Sequence, residues 1–131
     1  MKSFIEDILV SQDKDIKYRL SKDDLSKWIK AINSVIEADS TNKNTISLRF
    51  ISSEEMRKIN YKFRGVNSPT NVLAFPSELK GRNKINNLIG DIAICFELLK
   101  KEAEEQNKEI IDHLTHLFIH GALHLMGYKH E

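Results

Sequence analysis

The sequence predicts one compact α/β (α+β) domain in which helices cover a small mixed sheet of about four strands. Segments with the two-residue periodicity of strands alternate along the chain with segments of helical periodicity. The chain has 131 residues, a length typical of one domain, and its 40% hydrophobic and 30% charged residues are typical of a globular protein. No repeat or low-complexity linker divides the sequence, so we expect a single hydrophobic core.

The N-terminal part is predicted to contribute a strand and a helix. Residues 4–10 or 15–20 could form an edge strand of the sheet. Ser21 can cap a helix whose apolar side chains recur at helical spacing. These side chains are Leu25, Trp28, Ile29, Ile32, Val35 and Ile36. The helix is expected to end within residues 39–44.

A strand and a short helix are predicted next. Residues 45–51 alternate in polarity and are rich in β-branched side chains, which favours a strand. Ser52 and Glu55 have the spacing of a capping box, which opens a helix. Gly65 should end this helix, because glycine accepts the left-handed conformation of a helix C-terminus.

The second half adds two strands. Pro69 and Pro76 bracket a short strand over residues 70–75, and a polar segment over residues 79–87 leads to another strand over residues 88–94. Within that last strand a glycine, Gly90, marks either a bulge or the close approach of something bound.

Two helices, over residues 96–106 and 109–126, complete the predicted fold. Cys95 is the single cysteine, so the chain has no internal disulfide, and we expect it to be a small buried residue at a strand end. Acidic residues interrupt the apolar N-terminus, which argues against a secretory signal. No apolar run approaches the roughly 20 residues of a membrane span. We therefore expect a cytoplasmic protein.

The net charge of +1 conceals an uneven distribution. Residues 43–84 contain nine basic and three acidic residues, whereas the flanking segments are net acidic. A phosphate-binding surface requires such a basic segment, but a solvated, salt-bridged face has the same composition. Charge alone leaves both interpretations open.

All five histidines lie between residue 113 and the end of the chain. His120 and His124 are four residues apart, so on a helix their imidazoles can converge on one ion. Gly127 stands where the helix should end, and the chain can then turn back and bring His130 to the same ion. The spacing therefore predicts a metal site formed by these three histidines. Three imidazoles leave one coordination position open, which is typical of catalytic zinc.

Other interpretations of the histidines compete with this one. Two histidines on an amphipathic helix often have no function, although the glycine turn and third histidine favour a metal. The spacing H-x-x-x-H-x-x-G-x-x-H equals that of the metzincin proteases, but Gly121 stands where their glutamate base does. Of the other histidines, we expect His116 to be a packed helical residue rather than a partner of the metal ligands, and His113 to face solvent.

Four motifs, one of which contains the three predicted histidine ligands, form a specific pattern. They are residues 60–65 (NYKFRG), 69–76 (PTNVLAFP), 88–92 (LIGDI) and 116–131 (HLFIHGALHLMGYKHE). In this order and spacing they resemble the signatures of the YbeY family of bacterial endoribonucleases. The resemblance covers roughly residues 45–131, and residues 1–44 agree only in predicted layout.

This resemblance implies a single-domain fold with a small mixed sheet and a metal, usually taken as zinc, on His120, His124 and His130. It also implies single-strand endoribonuclease activity, maturation of the 3′ end of 16S rRNA and ribosome quality control. The implied partners are the small ribosomal subunit and a ribosome-associated GTPase. By position, Arg64 corresponds to the family's functional arginine.

Three positions depart from the family's usual pattern. Asn71 replaces an aspartate, Ala74 a serine and Lys129 an aspartate. Family members usually continue past the last histidine, whereas this sequence stops at Glu131. We therefore expect His130 to be held less firmly than the other two ligands.

The implied chemistry suits RNA cleavage. Bound zinc can generate a nucleophile from water without a carboxylate base, which makes the absence of glutamate at position 121 tolerable. We expect Arg64 and His120 to be catalytic. The guanidinium of Arg64 would stabilise the charge that develops on a phosphoryl group, and His120 would hold the metal.

The predicted RNA-binding residues are basic and lie mainly around the second helix. They are Arg57, Lys62, Arg64 and Arg82. An unpaired base could stack on Phe63, Phe75 or Tyr128.

Two other function classes stay open. One is a metzincin-like zinc hydrolase or protease, and the other is a non-catalytic ribosome-assembly factor with a structural metal. The native metal is also open, since three imidazoles suit Ni²⁺, Co²⁺ or Cu²⁺ as well as Zn²⁺.

Overall fold

The computed structural model describes residues 4–36, 43–77 and 88–128. Its elements, in chain order, are β1 (Phe4–Gln12), α1 (Lys22–Ile36), β2 (Lys43–Ile51), α2 (Ser53–Arg64), β3 (Val72–Pro76), β4 (Leu88–Cys95), α3 (Phe96–Glu105) and α4 (Ile110–Leu125). The strands form one sheet in the order β1-β2-β4-β3, in which only β3 runs antiparallel to its neighbour. Helices cover both faces, so the predicted α/β (α+β) class with a mixed sheet is confirmed.

The N-terminal edge strand is the first of the two predicted alternatives. β1 pairs in parallel with β2, with Ile8 opposite Ile46. Residues 15–20 form no strand, but three of their apolar side chains pack against the core. The region in which α1 is expected to end lies partly outside the described residues. The polar segment at 79–87 lies wholly outside them.

Both predicted N-caps are formed. The Ser21 hydroxyl accepts a hydrogen bond from the backbone N–H of Asp24 at 3.0 Å, and the Ser52 hydroxyl accepts one from Glu55 N–H at 3.2 Å. The N–H of Ser52 donates to Asp13 Oδ2 at 3.2 Å, the role that a capping box gives to the glutamate side chain. A carboxylate from the β1–α1 connection therefore completes this cap.

The main core lies between the sheet and helices α1 and α4. Trp28 of α1 stacks on Phe118 of α4 with ring centroids 4.7 Å apart. The indole N–H of Trp28 also donates to Thr115 Oγ1 at 2.9 Å, which satisfies its polar atom inside the packed interface. These contacts fix the position of α4, the helix that carries all the described histidines.

A smaller core lies on the opposite face of the sheet, where α2 packs. Its buried residues are Ile51, Met56, Leu73, Ala93 and Cys95. Cys95 is fully buried at the end of β4, as predicted. Across residues 4–36, 43–77 and 88–128, no helix combines the length and hydrophobicity that crossing a membrane requires.

Gly90 lies at both a bulge and a close approach. Thr45 pairs with Leu88 and Ile46 with Gly90, so β4 has one extra residue at this point. A Cβ atom on Gly90 would lie 2.4 Å from the carbonyl oxygen of Phe75 and 2.9 Å from Leu125 Cδ2. The close neighbours belong to the chain itself, namely β3 and the end of α4.

Candidate functional site

Helix α4 presents three histidines on one exposed face. His116, His120 and His124 follow one another at four-residue intervals, and each is exposed. The rings of His116 and His120 have centroids 5.4 Å apart at an interplanar angle of 45°. The expectation that His116 packs within the fold is wrong, because its position on the helix faces the open cleft described below.

The chain turns back where α4 ends. Gly127 has a left-handed φ of 89°, and its N–H donates to the carbonyl of His124 at 3.0 Å. The N–H of Tyr128 donates to the carbonyl of Leu123, also at 3.0 Å. The predicted glycine turn is therefore present at the end of α4.

The third predicted ligand, His130, lies outside the described residues, as does Lys129. Within the described ranges no three histidine, cysteine or carboxylate side chains come together as a metal-binding group. The described part of the site is the pair His120 and His124, two imidazoles one helical turn apart. This donor set fits zinc, which binds imidazole nitrogen at about 2.0–2.1 Å.

Arg64 lies beside these histidines. It is the last residue of α2, and Gly65, with φ of 72°, ends the helix by donating its N–H to the carbonyl of Tyr61 at 3.0 Å. Arg64 lines one open cleft of about 470 Å³ together with His116, His120 and His124. The remaining lining residues come from β3 and α4 and are Val72, Leu73, Ala74, Leu117 and Gly121. A cation and three imidazoles thus share one cleft.

Gly121 serves the packing of α4 against the sheet. A Cβ atom at this position would lie 3.3 Å from Ile92 Cδ1. A side chain here would therefore start towards the sheet and meet β4. Position 121 corresponds to the glutamate of the metzincin proteases, and the packing against β4 leaves little room for a glutamate side chain.

His113 does not face solvent, so that expectation is wrong. Only 5% of it is exposed, and its Nε2 lies 2.8 Å from Glu102 Oε1 on α3. The same oxygen accepts a hydrogen bond from Asn71 Nδ2 at 3.0 Å. The packing of α3 against α4 buries the imidazole and supplies its partner, a contact that histidine spacing along the chain cannot reveal.

The predicted RNA-binding residues have different surroundings. The guanidinium of Arg57 donates from Nε and Nη2 to the carboxylate of Glu54 at 3.1 and 2.7 Å, and from Nη1 to Asn67 Oδ1 at 2.6 Å. The hydrogen bond raises the pKa of Arg57 and lowers that of Glu54. Lys62 Nζ lies 5.4 Å from the centroid of the Phe63 ring. Arg82 lies outside the described residues.

The comparisons with known sequences agree with the motifs. A family model described as Endoribonuclease YbeY matches residues 9–131. The endoribonuclease YbeY of Colwellia psychrerythraea is 36% identical over 110 residues, which are 84% of this chain and 70% of the relative. That of Alteromonas mediterranea is 42% identical over 98 residues, which are 75% of this chain and 61% of the relative.

A solved structure has a similar fold. The solution structure of a Thermotoga maritima protein superposes with a TM-score of 0.56 and 25% sequence identity. The match covers 95% of this chain and 75% of that protein. The likeness therefore extends over nearly all of the architecture described above.

Proposed function

Because the chain belongs to the YbeY family of endoribonucleases, we propose that it is a metal-dependent nuclease that cleaves single-stranded RNA. The observation that carries the proposal is that Arg64, His120 and His124 line the same open cleft. Family membership gives the class of substrate, RNA. The cleft contributes a cation and imidazoles that could ligate a metal, which are groups that phosphodiester hydrolysis uses.

His120, His124 and His130 would hold one divalent ion. An all-imidazole donor set favours zinc, and nickel or another late transition ion would also fit. Once bound, the ion supplies Lewis acidity and an activated water at neutral pH. This chemistry makes a glutamate at position 121 unnecessary.

Arg64 would bind the scissile phosphate. Its planar guanidinium can donate two parallel hydrogen bonds to phosphoryl oxygens. The helix end at Gly65 fixes the backbone from which the Arg64 side chain reaches into the cleft. Lys62, on the same last turn of α2, would attract the neighbouring backbone.

In the cell, the proposed substrate is the precursor of 16S rRNA, and the proposed roles are maturation of its 3′ end and ribosome quality control. The proposed partners are the small ribosomal subunit and a ribosome-associated GTPase, which places the protein in the cytoplasm. The family resemblance supports these roles. Mapping of 16S 3′ ends in cells that lack the gene would test them, since unprocessed ends should accumulate and disappear on complementation.

Purified protein gives the direct test of cleavage. We expect zinc-loaded protein to cut a defined single-stranded RNA, and chelator-treated protein to leave it intact until zinc is returned. Arg64→Ala should slow cleavage by roughly 10²–10³-fold, the usual cost of losing one donor to a developing oxyanion. Arg64→Lys should restore little of it, because lysine has no planar fork.

Lys101→Ala is the matched control, since it removes one exposed positive charge from α3, away from the cleft. It should cleave like the wild type. Folded Arg64→Ala and His120→Ala variants that still cleave normally would contradict the catalytic roles of these two residues. Wild-type protein that binds RNA but never cleaves it would favour a non-catalytic assembly factor. Metal-dependent peptide cleavage without RNA cleavage would instead favour a zinc protease.

A further inference from the structure

A second groove, of about 620 Å³, lies on the sheet face that carries α2. The edge strand β3 lies between the groove and the histidine cleft, since its residues up to Ala74 line the cleft and its last two residues line the groove. Ala74 lines the histidine cleft, whereas Phe75 lines the groove. At the end of α2, Phe63 likewise lines the groove and Arg64 the cleft. A single-stranded RNA that crosses the edge of β3 would therefore contact both the groove and the histidine cleft.

Two aromatic rings form an exposed platform at the groove. Phe63 and Phe75 have ring centroids 5.1 Å apart at an interplanar angle of 55°. Phe63 is 56% exposed, which is unusual for a phenylalanine in a protein of this size. Lys62 Nζ lies 5.4 Å from the Phe63 centroid, so a cation accompanies the platform. An aromatic surface with an adjacent positive charge is typical of sites that bind single-stranded nucleic acid.

The lining of the groove includes a carboxylate, that of Asp91. Asp91 is the direct register partner of Phe75 on β3 and of Ser47 on β2. Directly opposed side chains on one sheet face lie about 4.5–5.5 Å apart at Cβ, so Asp91 is next to the platform. A carboxylate repels phosphate but accepts hydrogen bonds from the amino group of a base. Arg49 also lines the groove, and its guanidinium is paired with Asp13 at 3.3 Å. Because that pair is neutral, the remaining charges favour a base inside the groove and its phosphate towards Lys62 and Arg64.

We propose that this groove binds one unpaired nucleobase of the RNA next to the cleavage cleft. Phe63 stacks on the base, Phe75, tilted by 55° to the Phe63 ring, packs against its edge, and Asp91 accepts a hydrogen bond from its exocyclic amino group. Adenine, cytosine and guanine have such a group and uracil does not, so the groove disfavours uracil at this position. The inference rests on the proposed function for the identity of the ligand, and it assigns a specificity that the cleft alone does not provide.

The platform is tested by measuring, through fluorescence anisotropy, how tightly zinc-loaded protein binds short 2′-O-methyl oligonucleotides. A gel run afterwards verifies that the probe was not cleaved. Phe63→Leu keeps an apolar side chain but loses the ring, and it should weaken binding by roughly 5- to 100-fold. Phe63→Trp should retain affinity. The matched control is Tyr61→Leu, which removes a 59% exposed aromatic from the same helix outside the groove. It should leave affinity unchanged.

Abasic substitution identifies the base. A set of probes carries one abasic site each, at successive positions. The probe whose abasic site falls in the groove should bind the wild type and Phe63→Leu equally. At that position uracil should bind several-fold more weakly than cytosine, and Asp91→Ala should remove the difference. Equal binding by folded Phe63→Leu and wild type, no oligonucleotide binding by wild type, or a preference for uracil would each overturn the subsite.

Cleavage measured in parallel separates this inference from the proposed function. If the protein binds in a Phe63-dependent manner but never cleaves RNA, the subsite stands and the nuclease assignment fails. If it cleaves RNA and Phe63→Leu alters neither affinity nor the base preferred at the cut, the subsite alone fails.

Discussion

The imidazole of His113 and the carboxylate of Glu102 meet at 2.8 Å between α3 and α4. Asn71 joins them, because its side-chain amide donates to the same carboxylate oxygen at 3.0 Å. The backbone carbonyl of Asn71 accepts a hydrogen bond from the backbone N–H of Cys95 at 2.9 Å. These contacts tie the segment before β3 to the helix that carries the candidate ligands. They also give a physical reason for asparagine at position 71, since the amide can donate to Glu102 and a carboxylate cannot.

Asn71→Asp should therefore destabilise the protein. It would replace a donor by a second carboxylate facing Glu102, at an expected cost of about 1–3 kcal/mol for the lost and opposed hydrogen bond. Adding Glu102→Gln should recover part of the loss, because the repulsion is then removed. Urea unfolding monitored by tryptophan fluorescence measures both effects.

The control for this change is Asn67→Asp. The Oδ1 atom of Asn67 accepts from Arg57 at an exposed position, so a carboxylate there keeps a cationic partner and should not lower stability. If Asn71→Asp unfolds at the same urea concentration as the wild type, the three-residue contact contributes nothing to stability.

Two glycines should tolerate alanine differently. At Gly90 a new Cβ would lie 2.4 Å from the backbone oxygen of Phe75, which cannot move without distorting β3. At Gly121 the nearest atom is Ile92 Cδ1 at 3.3 Å, the end of a flexible side chain. We expect Gly121→Ala to cost no more than the roughly 1–3 kcal/mol of moderate overpacking, and Gly90→Ala to cost more.

A double mutant isolates the contact at Gly121. Ile92→Val removes the Cδ1 atom, so its combination with Gly121→Ala should be less destabilising than the sum of the two single changes. Additive effects in urea unfolding would show that Ile92 does not limit position 121. An equal cost at Gly90 and Gly121 would argue against the close approach at the bulge.

Sequence patterns predicted the features that local interactions determine. Ser21, Ser52 and Gly65 act on their own helix ends, within four residues along the chain, so their roles follow from the sequence. The relation of His120 to His124 follows from the helical repeat in the same way. None of these depends on which elements become neighbours in space.

Features that depend on tertiary neighbours could not be predicted in this way. His113 is buried because α3 brings Glu102 to it, and no periodicity in either helix specifies that contact. The groove arises because β3 joins the sheet next to β4 rather than β2, which sets Phe75 opposite Asp91. Arg64 was identified through the family motif, and its position beside α4 depends on the path of the chain into β3.

Alkaline pH should weaken the fold through Tyr18. Its ring packs against Phe96 and Phe50 at centroid distances of 5.4 and 5.9 Å. Burial, and next the charge of Asp24, raises the pKa of the Tyr18 phenol above its ordinary value of 10.0. The folded protein therefore keeps this proton to higher pH than the unfolded chain does.

The stabilisation from the protonated Tyr18 phenol is fully present below the pKa of this group in the unfolded chain. It is lost as the pH rises through the pKa of the group in the folded protein. Above pH 10.0 the free energy of unfolding of the wild type should fall more steeply with pH than that of Tyr18→Phe. Asp24→Asn should give an intermediate slope. Parallel curves for wild type and Tyr18→Phe would show that the phenol does not titrate differently in the two states.

Metal content should distinguish the histidines of α4. Elemental analysis of zinc-loaded protein should give about one ion per chain, the stoichiometry of a single three-imidazole site. His120→Ala, His124→Ala and His130→Ala should each lower zinc affinity by more than the roughly 10- to 100-fold that losing a supporting hydrogen bond costs. His116→Ala is the matched control, because its ring lies beside that of His120 on the same exposed face, and it should retain zinc.

Thermal unfolding provides an independent reading of the same site. Zinc at 100 times its dissociation constant should stabilise the wild type by about 2.7 kcal/mol, and the three ligand variants should lose most of this gain. Loss of zinc from His116→Ala to the same extent as from His120→Ala would mean that the helix, not the turn at Gly127, supplies the third ligand. Undiminished affinity in His130→Ala would show that His130 is not a ligand.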